Sequence, residues 1–505
     1  MDLHGSWREW AWAGGLTAVA AGVRLIGLGT APLWTDEAFS LWMAGHSAHA
    51  IWRWTAQLDA HPPLYYLLLH SWLVFGDRTV ALRALSVAAG VLTTPVAYLL
   101  GRGIGGPRLG ILTALLLALS PFNLWYAQEA RMYPLLMLVA AVGMWGLLLL
   151  FRDPVPRGAW TLYVAGTLLA LWTEHSAALL WGTGALAILV FRRHPGAGFW
   201  RRWLAAQICI LAAWTPVLVM LVRQLAAGTA GPTSLSGWGA AASLLPDTFS
   251  PLFGARPEPP AATRVLIAAF AALVTVPLLW RGLFGPSDGR LSIGVLATVW
   301  IAPVLCAVLL AAAGVSALLP ATLTAGYRTL IWTSMVPCLL VGRGVLGIAS
   351  RSGRAVALAL VLASTVGVLF VYYRTAPKWE AWDSAAAYVA AHAAAGDEIL
   401  FHDNLMQLPF DYYYRASGPA VREHGVPDDF PDRGVREPRA AQVDMPRLRV
   451  LARTSRRVWL VYSHDWWTDP GHLVPATLSD ADDTASVRDF PGLPLIRVYL
   501  FQGRR

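Results

Sequence analysis

The sequence predicts a polytopic α-helical membrane protein of about 11 transmembrane helices, followed by a small C-terminal α/β domain. Hydrophobic residues make up 56% of the 505 residues and charged residues only 14%, whereas soluble domains average about 25% charged residues. Long stretches without any charge, such as 109–128, reach the roughly 20 residues that a membrane-spanning helix needs. The composition changes after residue 373, where charged and turn-forming residues become frequent.

Eleven apolar stretches are candidate membrane spans. They are residues 10–33, 80–100, 109–125, 133–151, 159–174, 176–191, 203–222, 264–283, 291–313, 328–346 and 355–373. The stretches 159–174 and 176–191 are short for a span, and a single re-entrant pair is the alternative. The charge pattern favours two crossings.

Arginine is distributed unevenly among the connecting loops. Alternate loops contain Arg102 and Arg108; Arg152 and Arg157; Arg192, Arg193, Arg201 and Arg202; Arg281 and Arg290; and Arg343, Arg351 and Arg354. Arginine-rich loops favour the cytoplasmic side. We therefore expect the other loops outside the membrane, at 34–79, 126–132, 174–176, 223–263 and 314–327. An odd number of spans places the tail outside as well.

This topology predicts two domains. Residues 1–373 are expected to form the transmembrane domain, with one or two amphipathic, Trp-rich helices between 38 and 57 of the first outer loop lying on the outer leaflet. A loop that merely packs on the helices is the alternative. Residues 374–505 are expected to form a soluble extracytoplasmic domain. Its helix is predicted at 379–395, ending at Gly396, and its strands at 398–401, 458–462 and 496–501.

The net charge, the cysteines and the first apolar segment each have a simple structural interpretation. The net charge of +9 does not indicate a nucleic-acid-binding protein, because much of the arginine lies in short loops where it sets topology. Cys209, Cys306 and Cys338 lie in apolar segments and are expected to be small core residues. The first apolar segment is expected to remain as an anchor and not to be cleaved as a signal peptide.

Adjacent carboxylates, Asp36 and Glu37, follow the first span in the stretch LWTDEAFSLWMA. An ordinary charged loop end explains such a pair. The functional alternative is a general base, because a partly desolvated carboxylate at the bilayer edge has a raised pKa. Further along the same loop, Pro62 and Pro63 restrict the backbone after His61 and would present that side chain rigidly.

Ionisable residues interrupt an apolar context between two spans at 120–136, in SPFNLWYAQEARMYPLL. Such residues are costly near membrane depth and often mark functional sites. Arg131 is suited to bidentate hydrogen bonds with a phosphate. The predicted topology brings the polar candidates to one face of the membrane: Asp36, His61, Arg83, Gln128, Glu129, Arg131, His175 and Arg328.

Together these residues give the sequence a recognisable pattern. The motifs PLWTDEAFS, HPPLYY, RALSVAAGVLTTPVAYLLGR, SPFNLWYAQEARMYPLL, TEHSAALL and YRTLIWTSMVP resemble the bacterial glycosyltransferase 39-like membrane proteins. These belong to the GT-C superfamily, with protein O-mannosyltransferases and the aminoarabinose transferases that modify lipid A. The start of the tail, KWEAWDSAAAYVAAHAAAGDEILF, is similar to the extracytoplasmic domain of such proteins.

The resemblance implies a GT-C-like enzyme of the bacterial plasma membrane, with its active site and C-terminal domain outside. Its donor would be a polyprenyl-phosphate-linked sugar, and its acceptor an unidentified glycan, lipid or protein hydroxyl. Asp36 matches the family's base or acceptor-positioning group, and Glu37 is expected to orient it or cap the following helix. The residues expected to bind substrate or donor phosphate are His61, Tyr65, Arg83, Gln128, Glu129, Arg131, Tyr133, His175, Tyr327 and Arg328.

The chain departs from the aminoarabinose transferases at one position. They have an acid directly before the basic residue and its two prolines, and this acid helps to bind a metal; here that position is Ala60, with Asp59 one residue earlier. We therefore expect no metal site and no resident cofactor. A divalent ion at His61, Glu129 and His175 stays open. No nucleotide-binding fingerprint is present in the sequence.

Two other classes of protein share parts of this pattern. A lipid-linked-sugar flippase or transporter would also have many spans and buried charges, but its charged residues would be expected near the membrane midplane. A non-catalytic scaffold whose tail binds cell-wall polymer would leave Asp36, His61 and Arg131 unexplained. The pattern therefore favours a glycosyltransferase.

Overall fold

The computed structural model describes residues 7–192, 196–227, 261–285, 294–295, 297–302, 305, 327–375, 380–415, 418–431, 439–481, 483–492 and 494–503. They fall into two compact units. The first comprises 1–28, 60–72 and 80–376; the second comprises 29–59, 73–79 and 377–505. Most of the predicted ninth span, Cys306 and most of the outer loops at 223–263 and 314–327 lie outside the described residues.

The structure is mainly helical. The helices are α1 (Trp7–Leu25), α2 (Thr35–Ala44), α3 (Ala48–Leu58), α4 (Leu64–Trp72), α5 (Thr79–Ala118), α6 (Pro121–Ala127), α7 (Tyr133–Leu150), α8 (Ala159–Thr173), α9 (Ala177–Phe191), α10 (Ala197–Ala227), α11 (Ala261–Phe284), α12 (Met335–Leu346), α13 (Arg351–Thr375), α14 (Trp382–His392), α15 (Gln407–Tyr414), α16 (Met445–Thr454), α17 (Asp465–Thr468) and α18 (Leu473–Ala481). A 3₁₀ helix, Tyr327–Ser334, precedes α12.

The first unit contains the apolar helices. Among the residues that the structure describes, five helical stretches are long and apolar enough to cross a membrane: Thr79–Ala118, Tyr133–Leu150, Ala197–Gln224, Arg328–Leu346 and Arg351–Arg374. Shorter apolar helices accompany them, among them α8 and α9. The chain is therefore a multi-pass membrane protein, as the composition predicts. The count of eleven spans stays a prediction.

The break between the predicted second and third spans is made by two glycines. Helix α5 runs through both predicted spans, but its backbone leaves the helical conformation at Gly105 and Gly106. Gly106 has a φ of +81°, a region that side chains with a Cβ rarely adopt. The third predicted span then ends in a bend, because α5 stops at Ala118 and α6 begins at Pro121.

Helices α7 and α8 are antiparallel neighbours joined by the short segment 151–158. Their backbones approach closely at glycines, as is common for membrane helices. A Cβ on Gly146 would lie 2.2 Å from the Tyr163 backbone nitrogen, and one on Gly166 would lie 2.3 Å from that of Gly143. Because the helices are antiparallel, the start of α7 and the end of α8 lie at the same end of the pair.

The second unit contains a five-stranded mixed sheet. Its strands are β1 (Glu398–His402), β2 (Arg422–Gly425), β3 (Arg457–Tyr462), β4 (Asp483–Phe490) and β5 (Ile496–Gln502), in the order β2-β1-β3-β5-β4. Strand β1 pairs in parallel with β2 and β3, whereas β5 pairs antiparallel with β3 and β4. The predicted strands at 398–401, 458–462 and 496–501 are confirmed as β1, β3 and β5.

Strands β2 and β4 were not predicted, and both lie at edges of the sheet. Their sequences, REHG and DTASVRDF, are rich in polar and charged residues, because an edge strand keeps contact with solvent. The predicted helix at 379–395 is present but shorter, as α14. Gly396 follows it with a φ of +89°. The predicted loop helices are confirmed as α2 and α3; their place on the outer leaflet stays a prediction.

Candidate functional site

Four connecting segments of the first unit bring predicted site residues together. They are the turn between α6 and α7, the turn between α8 and α9, the start of the 3₁₀ helix, and the segment before α4. We call the residues that meet there the Tyr133 cluster, which consists of His61, Arg131, Tyr133, Glu174 and Arg328.

Tyr133 is the centre of this cluster. The guanidinium carbon of Arg131 lies 5.9 Å from the centroid of its ring, and that of Arg328 lies 5.7 Å from it. The imidazole of His61 meets the same ring edge-on, with centroids 6.3 Å apart and an interplanar angle of 84°. A tyrosine face attracts cations through its quadrupole, so each arginine has a favourable contact with this ring.

His61 is fixed by a buried carboxylate. Its Nδ1 lies 2.7 Å from Oε2 of Glu174, and both side chains are almost inaccessible to solvent. Such a contact sets the orientation of the imidazole and fixes which ring nitrogen faces the carboxylate. The other Glu174 oxygen, Oε1, is buried and has no hydrogen-bond partner among the described residues.

Hydrogen bonds behind the cluster hold its backbone. The Ser86 hydroxyl donates to the Arg131 carbonyl at 2.9 Å and lies 3.3 Å from the Tyr65 hydroxyl. The Ser176 hydroxyl donates to the Thr329 carbonyl at 2.5 Å, which ties the α8–α9 turn to the 3₁₀ helix that carries Arg328. The arginines are therefore positioned by the fold and not by long flexible loops.

Other predicted residues of this unit are engaged elsewhere. The Gln128 amide donates to the carbonyls of Arg24 and Ile26, at 3.0 and 2.7 Å, and Arg83 donates to the Leu28 carbonyl at 2.8 Å. These contacts hold the end of α1 and the chain that follows it.

The last three predicted residues of the unit lie beside the segments that form the cluster. Glu129 accepts a hydrogen bond from the Trp125 indole at 2.6 Å, and the His175 ring lies 3.0 Å from the Gln224 side-chain oxygen. Tyr327 begins the 3₁₀ helix, but its side chain lies outside the described residues.

Asp36 and Glu37 belong to the second unit, in the first turn of α2. Both side chains are buried, Asp36 to 8% exposure and Glu37 completely. The Glu37 carboxylate accepts a hydrogen bond from the Trp34 backbone nitrogen at 3.4 Å, the helix-capping contact expected of it. At a helix N-terminus, both acids are favoured by the helix dipole.

Two residues outside the predicted set contribute to these sites. Glu174 is the partner of His61, although sequence reasoning selected its neighbour His175. Glu380 bonds to Thr35, the residue before Asp36. The signal in each case was an acid in an apolar context, in LWTEHS and in KWEAW.

The chemistry available in the first unit is that of an anion site. Arg131 and Arg328 bring positive charge to one aromatic ring, and His61 adds an imidazole at the same ring. The positive end of the α7 dipole lies at the same residue, Tyr133. Phosphate oxygens match this set of donors. Among the residues described, no group of three or more His, Cys, Asp or Glu side chains could hold a metal ion.

Comparisons with known proteins bear on the fold. No family model and no curated protein match the chain. The solved structure of ArnT from Cupriavidus metallidurans bound to undecaprenyl phosphate is similar, with a TM-score of 0.62 and 15% sequence identity over 97% of this chain and 98% of that chain.

The oligosaccharyltransferase AglB from Archaeoglobus fulgidus, in complex with an inhibitory peptide and a dolichol-phosphate, is also similar. Its TM-score is 0.53, with 11% identity over 94% of this chain and 72% of that chain. Both neighbours are GT-C membrane glycosyltransferases. The chain therefore has the GT-C fold that the resemblance of its sequence predicted.

Proposed function

We propose that this protein is an integral membrane glycosyltransferase that moves a sugar from a polyprenyl-phosphate-linked donor to an acceptor hydroxyl. The observation that carries the proposal is the Tyr133 cluster, in which Arg131, Arg328 and a carboxylate-held His61 meet at one ring. The reaction is assigned to the extracytoplasmic face of the bacterial plasma membrane, since the distribution of arginine among the loops favours that orientation.

The donor phosphate is assigned to Arg131 and Arg328. As the bond between the sugar and the phosphate breaks, negative charge grows on the phosphate oxygens. Preorganised donors that meet this charge lower the barrier, because they need no rearrangement during the reaction. Arg131 is 1% exposed, so its charge acts in a medium of low dielectric constant, where electrostatic interactions are stronger than in water.

Asp36 is assigned as the general base. The acceptor oxygen attacks the anomeric carbon, its proton passes to the Asp36 carboxylate, and the carbon–oxygen bond to the phosphate breaks. The lipid phosphate leaves with the electron pair, and the arginines compensate its charge. Attack from the side opposite the leaving group inverts the anomeric centre, so we expect an inverted product.

Glu174 gives the cluster a contact for the sugar itself. Buried polar atoms are nearly always hydrogen-bonded, and exceptions call for an explanation. The buried Oε1 of Glu174 has no partner among the described residues, and it lies on the carboxylate that orients His61. We infer that this oxygen accepts a hydrogen bond from a hydroxyl of the donor sugar.

The fold supports the same proposal. The similar ArnT structure is bound to undecaprenyl phosphate, and the similar AglB structure contains a dolichol-phosphate. Both ligands are polyprenyl phosphates, the class of carrier that the Tyr133 cluster suits. The sugar and the acceptor are left open by this argument.

The test is turnover by the purified protein in detergent or nanodiscs, with a panel of polyprenyl-phosphate sugars as donors. Release or transfer of sugar by the wild-type protein is expected. Asp36→Asn is expected to reduce turnover to a small residual rate while it retains donor binding. Asp77→Asn changes an exposed acid of the same loop and should stay active. Movement of intact donor across proteoliposomes without cleavage would instead indicate a flippase, and full activity of Asp36→Asn would refute the base.

A further inference from the structure

The sheet of the second unit has a topological switch point at the carboxyl ends of β1 and β3. The chain goes from β1 to β2 on one side and then returns to β3 on the other side of β1. Open α/β sheets commonly bind ligands in the crevice outside such a point. The residues at this edge are therefore candidates for a role in the reaction.

In this protein the edge is occupied by a residue of the first outer loop. Oε2 of Glu380 accepts hydrogen bonds from both polar groups of Thr35, the backbone nitrogen at 2.9 Å and the side-chain hydroxyl at 2.5 Å. The Trp382 indole donates to the same oxygen. His464, which follows β3, brings its Nε2 to 3.9 Å from the other Glu380 oxygen. We call these four residues the loop anchor.

The Glu380 carboxyl of the loop anchor is buried, and burial of a carboxylate costs free energy unless its hydrogen bonds are satisfied. Glu380 is 2% exposed and Thr35 is 4% exposed. Burial raises the pKa of the Glu380 carboxyl, whereas His464 and the hydrogen bonds from Thr35 and Trp382 oppose that rise. A buried carboxyl is tolerated when its hydrogen bonds are satisfied, and two of the three bonds to Oε2 come from one residue.

The same loop is held at two more points. The Leu33 backbone nitrogen donates to the hydroxyl of Tyr413 at 2.6 Å. The hydroxyl of Tyr412 donates to the Asp77 carbonyl at 3.1 Å. Both tyrosines lie on α15, so the tail holds residues near each end of the loop, and Thr35 is held directly before Asp36.

We propose that Glu380 is a positioning residue, which fixes the N-terminus of α2 and thereby the carboxylate of Asp36. The domain formed by the tail then acts as the support of the general base. The consequence for catalysis rests on the proposed function, because it requires Asp36 to be the base. The contact with α2 does not depend on that assignment and can be measured separately.

The test compares Glu380→Ala with Glu398→Ala in the full-length protein. Glu398 is a matched control, since it is a buried acid of the same domain that bonds to Arg422 and to His424 at 2.9 Å. It is the first residue of β1 and is not one of the four residues of the loop anchor. Both changes remove a buried acid, but only Glu380→Ala releases α2. Glu380→Gln keeps an oxygen that can accept from Thr35 and is the rescue variant.

Hydrogen–deuterium exchange gives the first readout. Peptides covering residues 33–44 are expected to exchange faster in Glu380→Ala than in Glu398→Ala or Glu380→Gln. Equal exchange in the two alanine variants would overturn the proposal. This result is decisive even if the wild-type protein transfers no sugar, an outcome that would refute the proposed function alone.

Kinetics gives the second readout. Misplacement of a catalytic group by about 1 Å can cost up to about 100-fold in rate, so we expect kcat to fall at least about tenfold in Glu380→Ala with little change in the donor KM. In an Asp36→Asn background, Glu380→Ala should reduce the residual rate little further, because the base is already lost. Equal losses of kcat in both backgrounds, or in both alanine variants, would mean that Glu380 only stabilises the fold.

Discussion

Glu174→Ala removes the carboxylate that holds His61 in the Tyr133 cluster. In the native structure the two side chains are 2.7 Å apart, and the side-chain exposures of His61 and Glu174 are 6% and 0%. The alanine leaves the imidazole without the partner that orients it. We therefore expect both weaker donor binding and slower turnover, because His61 then presents its N–H to the donor phosphate less often.

The size of the effect follows from the burial of the pair. Hydrogen bonds to charged groups contribute about 1.5–3 kcal/mol, and loss of one partner of a buried ion pair costs about 3–5 kcal/mol. We take about 1.5–3 kcal/mol as the effect on the transition state, which corresponds to a fall of roughly 10- to 150-fold in kcat/KM.

The assay is steady-state transfer at several donor concentrations, with Glu174→Gln and Glu9→Gln as comparisons. Glu174→Gln keeps an acceptor for Nδ1–H without the charge and should fall between the alanine variant and the wild type. Glu9 pairs with Arg102 at 3.0 Å elsewhere in the first unit, so its variant controls for the loss of an acid. Unchanged kcat/KM in Glu174→Ala would refute the role assigned to the pair.

Three further predictions concern other parts of the structure. Tyr133→Leu removes a ring that contacts two guanidinium groups. At about 0.5–2 kcal/mol for each contact, the change should weaken donor binding about fivefold or more. Tyr133→Phe keeps the ring and should bind the donor nearly as the wild type does. Asp411 has its pKa raised to about 7 by burial and by nearby Glu423. Its neutral form is favoured in the folded state, so its contribution to stability is lost as pH rises from the ordinary aspartate pKa of about 4 to about 7. The stability of Asp411→Asn relative to the wild type should therefore be greater at pH 8 than at pH 5. Gly146→Ala places a Cβ 2.2 Å from a backbone nitrogen of α8 and should lower thermal stability by about 1–3 kcal/mol or more, whereas Gly158→Ala, with no atom within 4 Å, should not.

Each of these predictions has a contradicting result. Equal donor affinity of Tyr133→Leu and Tyr133→Phe would show that the aromatic ring does not contribute to donor binding. A stability difference between Asp411→Asn and the wild type that does not change between pH 5 and pH 8 would show that the acid titrates normally. Equal melting temperatures for the two glycine variants would contradict the close contact of α7 and α8.

The sequence predicted the elements whose side chains are apolar along their whole length. The central strands β1 and β3 carry apolar runs, and the long apolar helices are recognisable by length alone. The edge strands Arg422–Gly425 and Asp483–Phe490 escaped prediction, since their side chains need not be apolar. The length of α14 was overestimated, because helix-favouring alanines continue beyond His392 where the chain already turns toward β1.

The sequence predicted most of the residues of the site, but not which of them contact one another. Arg131 and Arg328 stand out as ionisable residues beside apolar segments, but nothing local indicates that both contact Tyr133. The pairing of His61 with Glu174 spans 113 residues and depends on where the end of α8 lies relative to α4. Such contacts are set by helix packing, which a single sequence does not reveal.

The most direct test of the central claim is the binding of undecaprenyl phosphate by the purified protein. We expect the wild-type protein to bind the phosphate but not undecaprenol, and Arg131→Gln with Arg328→Gln to weaken binding by at least about tenfold, given about 1.5–3 kcal/mol for each charged contact. Arg281→Gln is the control, because that side chain donates to the Gly347 carbonyl instead. Equal affinity for the alcohol and the phosphate, or an unchanged affinity in the double variant, would contradict a phosphate site at the Tyr133 cluster.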